Sequence, residues 1–344
     1  MDALDRLTIP LLVWYGENKR DLPWRSDPTA YRVLVSELML QQTRVAAVLS
    51  YYERFLRALP TLPDLAAASE EELLRLWQGL GYYGRARNLQ KAARRITEDF
   101  GGRFPETYEE ILTLPGVGEY TAGAVASIAF GVPVPAVDGN VLRVCARLLA
   151  SEADVSLPAT KKEIRARLLA LMPLGRPGDY NQALMELGAT VCLPNGAPQC
   201  GACPARDFCR AHLLGRETEL PVRPPKKPRR IEERTVYLLF RNGRVALRRR
   251  PEKGLLAGLW EYPHAPRGQD ALAAWGISPL STAPGGTAKH VFTHLEWHMA
   301  ALLVETADEL PREWVWASAA EVRGRYPLSS AQRAFDGAVF SRIR

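Results

Sequence analysis

LPGVGEYTAGAVASIAFG, residues 114–131, places a four-residue turn between two helical runs. Upstream, YEEILTL carries apolar residues at helical spacing, and Leu114 closes it. Pro115-Gly116-Val117-Gly118 then forms a tight turn, and Tyr120 begins the next helix. Gly116 and Gly118 lack side chains, so backbone N–H groups can approach an anion, and the following helix adds the positive end of its dipole. Ala122, Gly123, Ala124 and Ala126 let that helix pack closely on its neighbours. The pattern is a helix–hairpin–helix, a sequence-independent grip on a phosphate backbone. A structural turn between two helices is the plainer alternative.

Working outward, residues 1–215 read as helical, with apolar periodicity in YRVLVSELML, EELLRLWQGL, NVLRVCARLLA and NQALMELGA. Asp27-Pro28 is expected to cap and open a helix, and Gly131 and Gly188 to end helices. LPVRPPKKPRR, residues 220–230, holds five basic residues and four prolines, the composition of a stiff, extended linker. Beyond residue 231 the pattern turns to strands. TVYLLF-RNG-RVALRRR predicts a hairpin turning at Asn242-Gly243. KHVFTHLEWHM, residues 289–299, alternates as one strand, with Val291, Thr293, Leu295, Trp297 and Met299 on one face. Its histidines fall on the other face, about 13 Å apart at every fourth position, too far to share a metal ion. The expected architecture is a mainly α domain over 1–219, a linker over 220–231 and an α+β domain over 232–344.

Four of the five cysteines share one window, CLPNGAPQCGACPARDFC: Cys192, Cys200, Cys203 and Cys209. Four thiolates from a loop suit a cubane iron–sulfur cluster, one per iron. Zinc stays open, because Cys200 and Cys203 form a CxxC pair; a second pair is lacking, and His212 is the nearby histidine. Disulfides are disfavoured in a chain with no export signal and enough length for a core. Cys145 reads as core filler. Formal net charge is +7, which suits a polyanionic partner and equally a solvated basic surface. No apolar run is long enough to span a membrane.

Two carboxylates invite chemistry. Glu37 lies among apolar neighbours of YRVLVSELML, where an acid needs a reason: a salt bridge or a catalytic proton. Asp138 in VDGNV, residues 137–141, precedes a helix, and capping alone would explain it.

LPWR (22–25), SELMLQQTRV (36–45), GLGYYGRARNL (79–89), LPGVGEYTAGA, VDGNVLRV and the cysteine window together resemble the iron–sulfur DNA glycosylases related to endonuclease III, and within them the adenine glycosylases of the MutY type. The resemblance covers almost the whole chain. It implies a helix–hairpin–helix glycosylase fold with a [4Fe-4S] loop held by the four cysteines, followed by a Nudix-like domain. It makes Glu37 the general acid that protonates adenine and then activates water. It makes Asp138 the carboxylate that stabilises the oxocarbenium or bonds to the sugar, with Tyr120 and Asn140 orienting them. Holding Glu37 protonated at pH 7 would cost roughly 3.7 kcal/mol from an ordinary pKa, a cost that burial can supply. Bifunctional relatives carry a lysine where Tyr120 stands; a phenol forms no imine, so base removal without strand cleavage is expected. A bifunctional pyrimidine-damage lyase is the alternative.

By the same resemblance, Gln42 and Tyr82 are wedges that fill the gap left by the flipped base. Thr43 and Leu80 join them at the DNA. Arg20, Leu22, Trp24 and Gln182 line the adenine pocket, and Gly116 and Gly118 hold phosphate. GLLAGLWEYP (254–263) resembles the opening of a Nudix module, but HAPRGQDALAAW follows with a lone Asp270, so no pyrophosphatase magnesium site is expected. Phe292, Thr293 and His294 match a motif that reads 8-oxoguanine, with threonine replacing serine. The first cysteine spacing is one residue longer than the family's, and the extra residue is expected to bulge outward. The implied partner is duplex DNA with adenine opposite 8-oxoguanine or guanine, bound by a monomer in the cytoplasm, at the nucleoid if the source is bacterial.

Overall fold

The computed structural model describes residues 2–225 and 228–344; Lys226 and Lys227 of the expected linker lie outside the described residues. The helices of the first part, in order, are α1 (Thr8–Asn18), α2 (Pro23–Ser26), α3 (Ala30–Leu40), α4 (Val45–Ala58), α5 (Leu62–Ala67), α6 (Glu70–Trp77), α7 (Gly84–Asp99), α8 (Tyr108–Leu112), α9 (Glu119–Phe130), α10 (Gly139–Leu149), α11 (Pro158–Ala170), α12 (Pro177–Thr190) and α13 (Arg210–Leu213). Among the described residues, no helix is long and apolar enough to cross a membrane. Residues 1–67 and 88–225 form one compact unit, and 68–87 with 226–344 the other.

In the helical unit, α3 is buried from Val33 to Met39, the signature of a helix stretch enclosed on all sides. It packs against α9, and α12 packs against α1, α9 and α10. Small residues set these distances. A Cβ on Gly123 would stand 2.7 Å from Pro135 O, and one on Gly178 2.7 Å from Ser127 O. Gly188 does not end a helix as expected. It lies within α12, where an added Cβ would meet Asn140 Cβ at 2.6 Å. Gly131 does end α9, in the left-handed conformation. The expected cap at Asp27 is displaced: Thr29 caps α3, its hydroxyl accepting from Arg32 N–H, while Asp27 pairs with the Arg32 side chain.

The expected linker is partly ordered on the helical unit. Leu220 is buried in its core, and Val222 O accepts from Val155 N–H. The first strand begins at Arg230.

The second unit is built on a mixed seven-stranded sheet: β1 (Arg230–Arg241), β2 (Arg244–Arg249), β3 (Trp260–Glu261), β4 (His264–Pro266), β5 (Pro279–Val291), β6 (Leu295–Thr306) and β7 (Trp314–Ala317). The path is β3-β2-β1-β6-β5, with β1 and β6 parallel; β4 joins β1 and β7 joins β2. The β1–β2 hairpin turns at Asn242 and Gly243, both with positive φ, as the Asn-Gly pair predicts. Segment 68–87 belongs to this unit: Gln78 Nε2 donates to Leu328 O (2.9 Å), Arg87 Nη2 to Ala257 O (2.6 Å), and Glu70 pairs with Arg87 (2.7 Å) and Arg249 (3.3 Å).

One expectation fails outright. KHVFTHLEWHM is not a single strand: β5 ends at Val291, Phe292-Thr293-His294 turn, and β6 returns from Leu295. The alternation within β6 survives, with Leu295, Trp297 and Met299 buried. Phe292 packs edge-on against Trp297 at 5.0 Å. The reversal also removes the extended spacing assumed for the three histidines.

Candidate active site

The helical unit holds a cavity of about 750 Å³. Arg20, Leu22, Trp24, Glu37, Gln42, Thr43, Tyr120, Asp138, Asn140 and Gln182 all line it, residues scattered over some 160 positions of sequence and gathered by α2, α3, α9, α10 and α12.

Glu37 is 6% exposed on α3. Among the described residues its one hydrogen-bond partner is Tyr120, whose hydroxyl donates to Glu37 Oε2 at 2.6 Å. Burial pushes the Glu37 carboxyl up to about 7; Asp138 adds to the rise, while the Tyr120 bond and Arg25 oppose it. Burial and the two nearby acids likewise raise the Tyr120 phenol well above its ordinary value.

Asp138 does cap α10, and more. Its Oδ1 accepts from Asn140 N–H (2.9 Å) and Val141 N–H (2.8 Å), and its Oδ2 from Asn140 Nδ2 (2.8 Å). Burial raises its carboxyl, against these three bonds and Arg143. All three bonds come from donors and so favour the ionised form, although burial outweighs them. Asn140 is itself held: Arg143 Nη2 donates to Asn140 Oδ1 at 2.8 Å and to Gly188 O at 2.8 Å. The segment leading to Asp138 is stapled by Asn181, fully buried, which accepts from Ala136 N–H (2.9 Å) and donates to Val134 O (2.9 Å) and Ser127 Oγ (2.8 Å).

Sequence reasoning overlooked Arg25 and Glu186. Glu186, 1% exposed, pairs with Arg20 (2.6 Å) and Arg25 (2.7 Å). Burial opposes its ionisation, but the two guanidinium groups outweigh it and hold the carboxyl at about 2. The lone acid inside the apolar run ALMELGA was the available signal, the same one that exposed Glu37.

At the hairpin, Gly116 has φ +76°, and Gly118 stands at the start of α9, where no side chain caps the helix. Its first N–H groups are therefore available to an anion. Gln42 and Tyr82, the wedge candidates, both hold the left-handed backbone region (φ 57° and 48°), uncommon for non-glycine residues and a frequent mark of functional positions. Leu80 is buried. In the second unit, Tyr82 and Thr293 hydroxyls are hydrogen-bonded at 2.5 Å.

The four cysteines surround one small cavity, with Arg147, Arg206, His212 and Glu217. Arg147 Nη1 donates to Cys192 Sγ (3.2 Å) and to Leu193 O (2.8 Å). Burial raises the Cys200 and Cys209 thiols and pushes Cys203 up to about 12. Among the described residues, the one trio of ligand atoms within 4.8 Å of one another is Cys200, His212 and Glu217; no three of the four thiols are that close. Pro194 to Ala197, within the longer first spacing, are exposed, and Gln199 N–H closes the loop on Val191 O at 2.9 Å. Cys145 is fully buried in the helical core.

The model of the HhH-GPD superfamily base excision DNA repair proteins matches residues 35–173, which carry the hairpin, Glu37 and Asp138, and the NUDIX domain model matches 235–335. The fold and site thus define a base-excision repair glycosylase with a Nudix-like second unit. The chain is 42% identical to an adenine DNA glycosylase of Rattus norvegicus, over 83% of this chain and 68% of that one. It is 42% identical to that of Homo sapiens, over 74% of this chain and 56% of the relative. A solved thermostable thymine-DNA glycosylase aligns with a TM-score of 0.57 at 29% identity, over 62% of this chain and 97% of its own. The chain belongs to the adenine DNA glycosylases, base-excision repair enzymes that hydrolyse an N-glycosidic bond. A solved endonuclease III–DNA complex also aligns, with a TM-score of 0.53 at 27% identity, over 62% of this chain and 99% of its own.

Proposed function

We propose that the pocket hydrolyses the N-glycosidic bond of an adenine flipped out of duplex DNA, where adenine faces 8-oxoguanine or guanine. The observation that carries this is a buried Glu37 whose carboxyl sits near pH 7, beside an Asp138 surrounded by donors. Glu37 delivers its proton to a ring nitrogen of adenine, so the base leaves with the bonding pair as a neutral molecule. The sugar is left with positive charge at C1′, faced by Asp138; a carboxylate at about 4 Å contributes on the order of 4 kcal/mol at an effective dielectric of about 20. Water, or Asp138 followed by water, closes C1′, and the released proton returns to Glu37. Tyr120 and Asn140 hold the two acids. Arg20, Leu22, Trp24 and Gln182 frame the base, and Gln42, Thr43, Leu80 and Tyr82 work at the gap. Gly116 and Gly118 hold the backbone, and Phe292, Thr293 and His294 read the opposite base.

In this reading residues 1–219 are the catalytic domain, 220–231 the linker and 232–344 the reader, in a monomer working where duplex DNA is kept, in the cytoplasm or at the nucleoid. Cys192, Cys200, Cys203 and Cys209 would hold a [4Fe-4S] cluster, which when bound ties the loop's four thiolates to one centre. Labelled duplexes test the reading. Adenine opposite 8-oxoguanine should yield a strand break only after hot alkali. Cleavage at a damaged pyrimidine without alkali would establish a bifunctional lyase instead, and tight binding without abasic product would remove the catalytic role.

A further inference from the structure

Away from the pocket, Trp297 is gripped by groups that the proposed reaction does not use. It lies near the start of β6 and is 1% exposed. Its indole N–H donates to Glu232 Oε2 at 3.0 Å, and Glu232 is its register partner across the parallel β1–β6 pair. The Arg234 guanidinium lies over the indole at 4.6 Å, donating to the same Glu232 oxygen at 2.6 Å and meeting His264 Nδ1 at 3.0 Å. The His264 ring stands 5.1 Å from the indole. Arg250 also lies over the indole at 5.7 Å, and Phe292, the first residue of the turn, packs on it at 5.0 Å.

That turn is short. β5 ends at Val291 and β6 begins at Leu295; Phe292 N–H donates to Leu295 O (2.8 Å), and His294 O accepts from Arg230 N–H (3.4 Å). Thr293 is also bonded to the Tyr82 hydroxyl at 2.5 Å and His290 packs on the Phe292 ring at 4.6 Å, while from β6 the tip is seated through Phe292 on Trp297. Glu232 suits the seat because an ionised carboxylate only accepts, and it serves Trp297, Arg230 and Arg234 together. A glutamine would turn an NH₂ group toward one of those donors.

We infer that Glu232 and Trp297 are positioning residues for reading the base opposite adenine: their bond fixes the Phe292 ring and, through it, the place of Thr293 and His294. This rests on the reading of the tip proposed above. Neither residue needs to touch DNA.

The test compares Glu232→Gln, Trp297→Phe, the double variant and Thr293→Ala in the full chain. Two quantities are measured: amide hydrogen exchange at 291–295, and single-turnover adenine excision opposite 8-oxoguanine and opposite guanine as enzyme concentration is varied. Both seat variants should speed exchange at 291–295 while residues 238–247 stay protected. They should lower the preference for 8-oxoguanine about tenfold through half-saturation, with the saturated rate unchanged. The double variant should match the worse single one. Unchanged exchange in Glu232→Gln overturns the proposal, even if Trp297→Phe fails to fold. So does a preference that falls in Thr293→Ala but not in Glu232→Gln. An unchanged preference in Thr293→Ala defeats the reading of the tip instead, and the exchange result then decides the seat alone.

Discussion

Replacing Glu37 by Gln should make the folded chain more stable at neutral pH while destroying its activity. In the fold the Glu37 carboxyl is raised to about 7 from 4.5. Between those values the folded state binds more protons than the unfolded state, so wild-type stability falls as pH rises through this window. Above pH 7 the penalty is complete. A rise of that size corresponds to about 3 kcal/mol. Glutamine has no proton to lose and still offers Tyr120 an oxygen. The stability difference between variant and wild type should therefore be flat below pH 4.5, grow toward pH 7 and level off at about 3 kcal/mol. Urea unfolding followed by far-ultraviolet circular dichroism, at fixed pH values from 4 to 8.5, measures it. In parallel, wild-type excision should decline as pH rises through about 7, and the variant should lose at least about 10²-fold. Stability curves that run parallel for the two proteins across the whole range would refute the argument that burial holds the proton on Glu37.

Tyr120→Phe removes the donor that favours ionised Glu37, so the alkaline limb of the excision profile should move to higher pH; a move to lower pH would contradict the geometry. Gly188→Ala should cost about 1–3 kcal/mol and slow excision, because the added methyl meets Asn140 at 2.6 Å and Asn140 holds Asp138; wild-type activity would show that α10 gives way freely. Cys203→Ser should yield protein with less bound iron and weaker visible absorbance, measured by metal analysis and spectroscopy; full iron content would exclude Cys203 as a ligand. Glu186→Ala should destabilise by about 3–5 kcal/mol at pH 7, since it leaves Arg20 and Arg25 without their carboxylate. In wild type that stabilisation should fade as pH drops from 4.5 toward 2, the range in which acid unfolding curves would show it.

Local chemistry made much of this molecule legible in the chain itself. A turn built on Gly116 between two apolar helical runs, an Asn-Gly hairpin, four thiols in one loop and an acid inside an apolar helix each act over a few residues, and spacing records them. What spacing does not record is which distant groups meet. Glu186 stands as a lone acid in an apolar run, but only the fold brought Arg20 and Arg25 to it across some 160 residues. Gly188 resembled a helix end, yet its missing side chain makes room for Asn140. The period-two pattern across 289–299 is blind to a reversal of direction, so the Phe292–Thr293–His294 turn emerged only when β5 and β6 paired and Phe292 found Trp297. Residues 68–87 read as helix from their own periodicity, whereas their docking on the second unit depends on Leu328, Ala257 and Arg249, contributed far along the chain. The residue types set the available chemistry; burial and long-range pairing decided that Glu37 keeps its proton near neutrality while Glu186 gives its own up.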